Sequence, residues 1–155
     1  MTAATLNFSI AEYHEANDDL LETLAQLDRA CFPKPLSAED FAGALAGRNQ
    51  ILVLVAHAGG QPIGYKLGYE FAIGPTFFSV SGCVLPSHRR QGVAQALIDH
   101  QHAWAKKAGF RYVRTHTKNK YREMLLLLIG MGFDVTGVNH HLGEEQQAIV
   151  LEKEL

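Results

Sequence analysis

Val84-Leu85-Pro86-Ser87-His88-Arg89-Arg90-Gln91-Gly92-Val93-Ala94 is the stretch on which the reading of this chain turns. On its N-terminal side, Phe77 to Leu85 is apolar and rich in aromatic and β-branched residues, the pattern of a strand. On its C-terminal side the period changes: from Gln91 onward, Ala94, Leu97, Ile98, Trp104, Ala105 and Ala108 share one broad helical face that ends at Gly109. A strand turning into a helix leaves the first helical N–H groups without intrahelical acceptors, and the helix dipole adds about half a positive charge there. Such an end binds anions. Gly92 lets a bulky anion reach the backbone because it has no Cβ, Ala94 keeps the first turn slim, and Arg89 and Arg90 add charge at the rim. Pyrophosphate has the right size and charge. The same residues also suit a plain strand-to-helix turn that uses glycine for its φ and arginine for solubility. The order of the flanking elements decides between the two.

Leu6 to Ile10 alternates as a strand, and Leu20, Leu24, Leu27 and Cys31 then form a helical stripe behind the cap Asn17. Ser37-Ala38-Glu39-Asp40 has the form of a capping box opening a second helix that carries Phe41, Ala44 and Leu45 and stops at Gly47. Ile51 to Ala56 and Ile63 to Tyr69 are strands joined across Gly59-Gly60, and the strand from Phe77 follows the turn at Gly74-Pro75. Past Gly109 come a strand over Tyr112 to Thr117, a helix over Tyr121 to Met131 and a strand over Phe133 to Val138. A last strand over Ala148 to Glu152 follows the polar loop Asn139 to Gln147. The predicted order is β-α-α-β-β-β-α-β-α-β-β, one α/β domain over 1–155 with a mixed sheet and helices on both faces.

The 155 residues are the length of one ordinary domain, and 47% hydrophobic with 19% charged residues is the balance of a soluble globular protein. A net charge of −2 provides no basic face by count, which speaks against a nucleic-acid or anionic-membrane partner. Cys31 and Cys83 are far apart and lack a CxxC spacing, so neither a disulfide framework nor a zinc ribbon is expected, and a cytoplasmic location follows. No apolar run approaches the roughly 20 residues that cross a bilayer. His100 and His102 point to different sides of their helix, and His140-His141 has no spaced carboxylate or cysteine, so no metal site is predicted.

Val84-x-Pro86-x-x-Arg89-x-x-Gly92-x-Ala94 resembles the acyl-CoA-binding signature of the GNAT acetyltransferases, and Asn119 before an apolar helix ending Gly132-Phe133 resembles that family's second conserved segment. The order of elements is similar to that of the family as well. The resemblance implies a GNAT-like fold and an N-acetyltransferase using acetyl-CoA as cosubstrate, with a small-molecule amine or a peptide N-terminus as acceptor. It implies that Cys83, Val84 and Leu85 offer backbone groups to the pantetheine arm, and that Arg89, Arg90, Gln91, Gly92, Val93, Ala94 and Gln95 enclose the pyrophosphate. Asn119 would lie near the pantetheine; as an Asn before a helix it reads equally as an N-cap.

Acetyl transfer needs a neutral amine, and an amine of pKa about 10.4 is only about one part in a thousand neutral near pH 7.4, a deficit of roughly 4 kcal/mol. The Val84 N–H is the natural donor to the thioester oxyanion. Where some family members carry a Glu or His base on the signature strand, this chain has Phe78 and Val80; where many carry a tyrosine acid, it has Leu128. Substitutes are Tyr121 as acid and Glu70 or His116 as base through a water, each with an ordinary structural reading beside it: a helix-entry tyrosine, a solvated strand-end carboxylate, a satisfied strand histidine. These departures leave a rival, a non-catalytic acyl-CoA-binding or sensor module on the same fold. Cys83 could carry an acyl group, although a small buried strand residue accounts for it as well. Acceptor choice would fall to the early helices, Phe32 to Leu36 and Tyr69 to Pro75, with Phe32, Glu39, Tyr69 and Glu70 among the residues involved. The helix at Met124 to Ile129 is apolar all round, which fits either cover by loops or a homodimer contact.

Overall fold

The computed structural model describes residues 5–72, 74–139 and 148–155. The elements are β1 (Ser9–Tyr13), α1 (Asp18–Cys31), α2 (Ala38–Leu45), β2 (Leu52–Ala58), β3 (Gln61–Glu70), β4 (Thr76–Val84), a 3-10 turn at Pro86–His88, α3 (Val93–Lys107), β5 (Tyr112–Lys118), α4 (Arg122–Gly130), β6 (Asp134–Asn139) and β7 (Ala148–Glu154). Their order is the predicted one. The strands form a seven-stranded, mostly antiparallel sheet in the order β1-β2-β3-β4-β5-β7-β6. No helix among the described residues is long and apolar enough to cross a membrane.

Local chemistry starts and stops these elements where the sequence says it should. Asn17 Oδ1 accepts from Leu20 N at 2.9 Å, replacing the missing partner of a first-turn amide. Ser37 and Asp40 close a reciprocal capping box at 2.9 and 3.1 Å. Gly59 and Gly60 both take positive φ, as a two-residue turn between right-twisting strands requires.

Three details differ from expectation. The first strand is Ser9–Tyr13, not Leu6 to Ile10; none of its residues is buried, so pairing with β2 (Ser9↔His57 through Tyr13↔Val53), rather than its own pattern, sets its limits. Glu12 on this strand reaches His100 on α3 at 2.7 Å, and that hydrogen bond holds its carboxyl below the usual range. The long helix starts at Val93, after the 3-10 turn, and buries Gln101 and His102 while Ala108 is exposed. Asn119 is not a helix cap: it lies exposed in the turn after β5, and Tyr121 occupies the cap position of α4 without a side-chain cap bond.

The chain falls into two compact units, Met1–Tyr69 with Ser81–Gln101, and Glu70–Val80 with His102–Leu155. In the first, Leu24, Leu27, Phe41, Leu52, Leu54, Tyr65, Leu67, Leu97 and Ile98 are buried. Two glycines bring β3 and β4 together: a Cβ on Gly64 would stand 2.8 Å from Cys83 O, and one on Gly82 would stand 2.8 Å from Tyr65 O. In the second unit, Phe77 meets Trp104 and Phe110 with ring centroids 5.6 and 5.4 Å apart. Leu126 and Ile129 of α4, with Val135 and Val138 of β6, are exposed. The parallel pairing of β4 with β5 runs from Thr76↔Tyr112 to Ser79↔Thr115 and stops there, although β4 continues to Val84.

Gly82→Ala should therefore lower stability by about 1–3 kcal/mol, the scale of overpacking, because backbone must move to admit the methyl. Gly43→Ala, on a helix with open space around it, should raise stability by about 0.4–1 kcal/mol. Urea denaturation of the two variants checks the contrast.

Candidate functional site

The end of β4 is where local constraints concentrate. Leu85 N–H bonds to Ile63 O on β3 at 2.8 Å, and Leu85 O accepts from His88 N at 2.9 Å, so Leu85's N–H is taken and only one lone pair of its carbonyl remains. Side alternates along a strand, so the Val84 N–H points to the edge opposite Ile63. That edge has no β5 ladder beyond Ser79. The Val84 carbonyl is held by Arg89 Nε at 2.9 Å and by Cys31 Sγ at 3.5 Å. Arg89 thus turns its side chain back onto the strand it follows.

Beyond Arg89 the backbone alternates in hand. Arg89 is extended (φ −73°), Arg90 is left-handed (φ 59°) and Gly92 is left-handed (φ 84°) before α3 begins at Val93. Left-handed residues in a turn before a helix are one way a chain can present backbone N–H groups to an anion. The first of these N–H groups to bond back into the helix is that of Ala96, to Gly92 O at 3.0 Å. A Cβ built on Gly92 would meet no atom within 4 Å, so the glycine faces open space and is required by its φ, not by crowding. A non-glycine residue at φ 59°, here Arg90, is uncommon enough to mark the loop as constrained. The donor set suits a diphosphate.

Behind this loop lies a polar cluster that sequence reasoning missed. Asp28, only 2% exposed, accepts from Tyr65 O–H at 2.7 Å and from Leu36 N–H at 2.8 Å. Ser81 Oγ is 3.2 Å from the Tyr65 oxygen; the phenol's one proton goes to Asp28, so Ser81 donates. Burial, reinforced by the Asp28 carboxylate, pushes the Tyr65 phenol far up. Cys83 Sγ donates to Leu27 O at 3.7 Å. The neighbouring Cys83 thiol, with Arg89 close by, lowers Cys31 to about 7, and Cys31 together with burial raises Cys83. The signal for Asp28 was available: it stands four residues after Leu24 on the apolar stripe of α1, where a charge must have a partner.

The predicted residues divide between the two units. Cys83 through Gln95 belong to the first, together with Asp28, Cys31 and Tyr65; Glu70, His116, Asn119 and Tyr121 belong to the second. Glu70 is exposed at the end of β3. His116 is half-buried on β5, its ring 5.0 Å from that of Phe78. Tyr121 is 37% exposed, with Lys120 Nζ 5.1 Å above its ring. Leu128, at the position of the missing acid, is buried. Tyr69 is buried, with the Arg48 guanidinium 4.3 Å from its ring centre. His140 and His141 lie outside the described residues, among which no group of three or more His, Cys, Asp or Glu side chains could hold a metal ion.

The sequence model described as the acetyltransferase (GNAT) family matches residues 18–132 of this chain. The chain belongs to the GNAT family. The match takes in both segments that carried the resemblance, around Gly92 and after Asn119. Solved structures agree on the fold. The ribosomal-protein-S18-alanine N-acetyltransferase of Escherichia coli superimposes with a TM-score of 0.81 at 16% identity, covering 96% of this chain and 94% of that one. Ard1 from Thermoplasma volcanium does so at 0.82 and 15% identity, covering 96% and 97%. Arabidopsis thaliana NAA60, solved with a bisubstrate analogue, gives 0.74 at 20% identity, covering 94% and 98%. No curated protein sequence matches this GNAT chain.

Tyr65→Phe leaves the buried Asp28 carboxylate one donor short, and a loss of about 1–3 kcal/mol is expected from that deficit. Thermal and urea unfolding of the variant measure it.

Proposed function

We propose that this chain is an N-acetyltransferase that moves an acetyl group directly from acetyl-CoA to a primary amine, on a small molecule or a peptide N-terminus. The observation that carries the reading is the loop from Arg89 to Gly92, which holds two left-handed residues just before α3 begins and in which Gly92 faces open space. Membership of the GNAT family supports acetyl-CoA as the donor. Acetyl-CoA supplies the acyl thioester; the chain's own residues hold and orient it.

In this reading the N–H groups of Gly92, Val93, Ala94 and Gln95 meet the pyrophosphate, with Arg89, Arg90 and Gln91 at the rim. Cys83, Val84 and the carbonyl of Leu85 line the arm, with Asn119 as a further contact. The Val84 N–H, aimed away from β3, is the donor to the oxyanion that develops as the amine attacks; one such donor is worth about 2.7–4 kcal/mol where it has been removed from other acyl-transfer sites. Glu70 and His116 are the candidates to take the amine's proton through a water, and Tyr121 to return one to the leaving thiolate. None of the three is a close stand-in for the family's usual groups, so the reaction rests chiefly on positioning and on the neutral amine reaching the thioester.

Calorimetric titration with acetyl-CoA, followed by thiol release against a panel of small amines and peptide N-termini, tests the proposal. Binding with release supports it and identifies the acceptor class; binding without release to any acceptor favours the sensor reading, and no binding overturns the donor site. Gly92→Glu should abolish binding, since it adds bulk and a like charge at a left-handed position; a variant that binds as tightly as the parent would sink the loop assignment. Tyr121→Phe should leave turnover within a few-fold if the thiolate leaves unassisted, whereas a loss of about 10²-fold would make Tyr121 the acid.

A further inference from the structure

Cys31 and Cys83 are 52 positions apart in a chain with no other cysteine, and nothing in the proposed transfer uses either thiol as a nucleophile. Both are free, Cys83 buried and Cys31 half-buried. Their contacts cross. Cys31, in the last turn of α1, donates to the carbonyl of Val84, the residue after Cys83; Cys83 donates to the carbonyl of Leu27, one turn before Cys31. Each sulfur thus lies against backbone next to the other cysteine, which brings both thiols to the contact of α1 with β4.

We propose that Cys31 and Cys83 are a peroxide-responsive thiol pair that closes a reversible disulfide between the end of α1 and the end of β4.

The charges around the pair divide the labour between the two sulfurs. The adjacent Cys83 thiol and the positive charge of the Arg89 guanidinium, against burial and the Asp28 carboxylate, lower the Cys31 thiol to about 7. The same arrangement keeps the proton on Cys83. Cys31 is also the more accessible of the two, and accessible thiolates are the ones that hydroperoxides oxidise. Its thiolate attacks the outer oxygen of a hydroperoxide; the O–O bond breaks, the leaving oxygen takes a proton to become water or an alcohol, and Cys31 becomes a sulfenic acid. This step removes the negative charge that had raised Cys83. Cys83 then releases its proton and attacks the Cys31 sulfur, the S–O bond breaks, and hydroxide leaves with that proton as water. Two thiols have lost two electrons and two protons, and one hydroperoxide has been reduced. A metal reading of the pair lacks ligands: both oxygens of the nearby Asp28 are taken by Tyr65 and Leu36.

The test treats the full-length protein with hydrogen peroxide in small molar excess, then alkylates it with N-ethylmaleimide under denaturing conditions and weighs it intact. The expected product is a monomer lighter by two hydrogens that takes up no maleimide, regains two sites after dithiothreitol, and yields a proteolytic peptide pair joining Cys31 to Cys83. Gain of two or three oxygens on Cys31 with Cys83 still alkylatable, a disulfide between two chains, or unchanged double alkylation would overturn the proposal. Cys83→Ser should stop at the sulfenic acid, trapped by dimedone on Cys31, and Cys31→Ser should leave Cys83 reduced. An arm that needs no variant is iodoacetamide labelling of the native protein. Cys31 should react about tenfold or more faster than Cys83, with a rate that rises through about pH 7; faster labelling of Cys83 would contradict the assigned roles.

Discussion

A carboxylate buried to 2% exposure inside an apolar helix stripe has to be answered, and in this protein the answer organises the first unit. Asp28 spends one oxygen on the Tyr65 hydroxyl and the other on the Leu36 N–H. The first bond fixes α1 to β3; the second fixes the connection from α1 to α2. Phe41 on α2 then sets its ring edge-on to Tyr65 at 5.7 Å. Two helices and a central strand are thus located by one charge and the ring it holds. Remove the donors and the cost is not a missing contact but a stranded charge.

The same need for fixed geometry explains how the end of β4 is built. Gly64 and Gly82 let β3 and β4 approach more closely than any side chain would permit. Leu85 is tied to β3, Val84's carbonyl is held from the other side by Arg89 and Cys31, and a 3-10 turn then delivers Arg90 and Gly92 in left-handed conformations. An anion site made of backbone N–H groups has no side chains to adjust, so its affinity depends on the chain being held where it is. Each of these restraints removes a way for the loop to relax. Positive charge from the arginines is secondary to that: Arg89 uses its Nε internally, and its guanidinium lends charge to Cys31 as well as to the rim.

What could be read from the sequence was whatever is decided within a few residues. Asn17, Ser37 with Asp40, Gly59-Gly60 and Gly109 mark starts, turns and stops through their own side chains or their lack of one, and the structure uses each as expected. The limits of β1 were not legible, because an edge strand with no buried residue takes its register from its neighbour. Asn119 looked like a cap because asparagine caps well, yet the cap position of α4 lies two residues later, at Tyr121, which has no side-chain cap bond. Asp28 with Tyr65, and Cys31 with Cys83, were out of reach for a different reason: each pair is joined only once α1 has folded onto the sheet, and separation along the chain carries no trace of that. The spacing of the cysteines spoke against a disulfide framework, and they are indeed free thiols, but spacing could not reveal that both sit at the contact of α1 with β4.

The buried network also narrows where the chemistry of the proposed transfer can come from. In the first unit, four titratable groups near the end of β4 have structural roles. Asp28 has both oxygens occupied, and Tyr65 keeps its proton far above the range in which a phenol could exchange it during turnover. Cys83 is held as a thiol, and Cys31 is paired with it and with Arg89. In the proposed transfer, Glu70, His116 and Tyr121, all of the second unit, remain the candidates to move protons. The proposed transfer would then depend on holding the acyl donor and admitting a neutral amine more than on any one acid or base, in keeping with the apolar Phe78 and Val80 on β4.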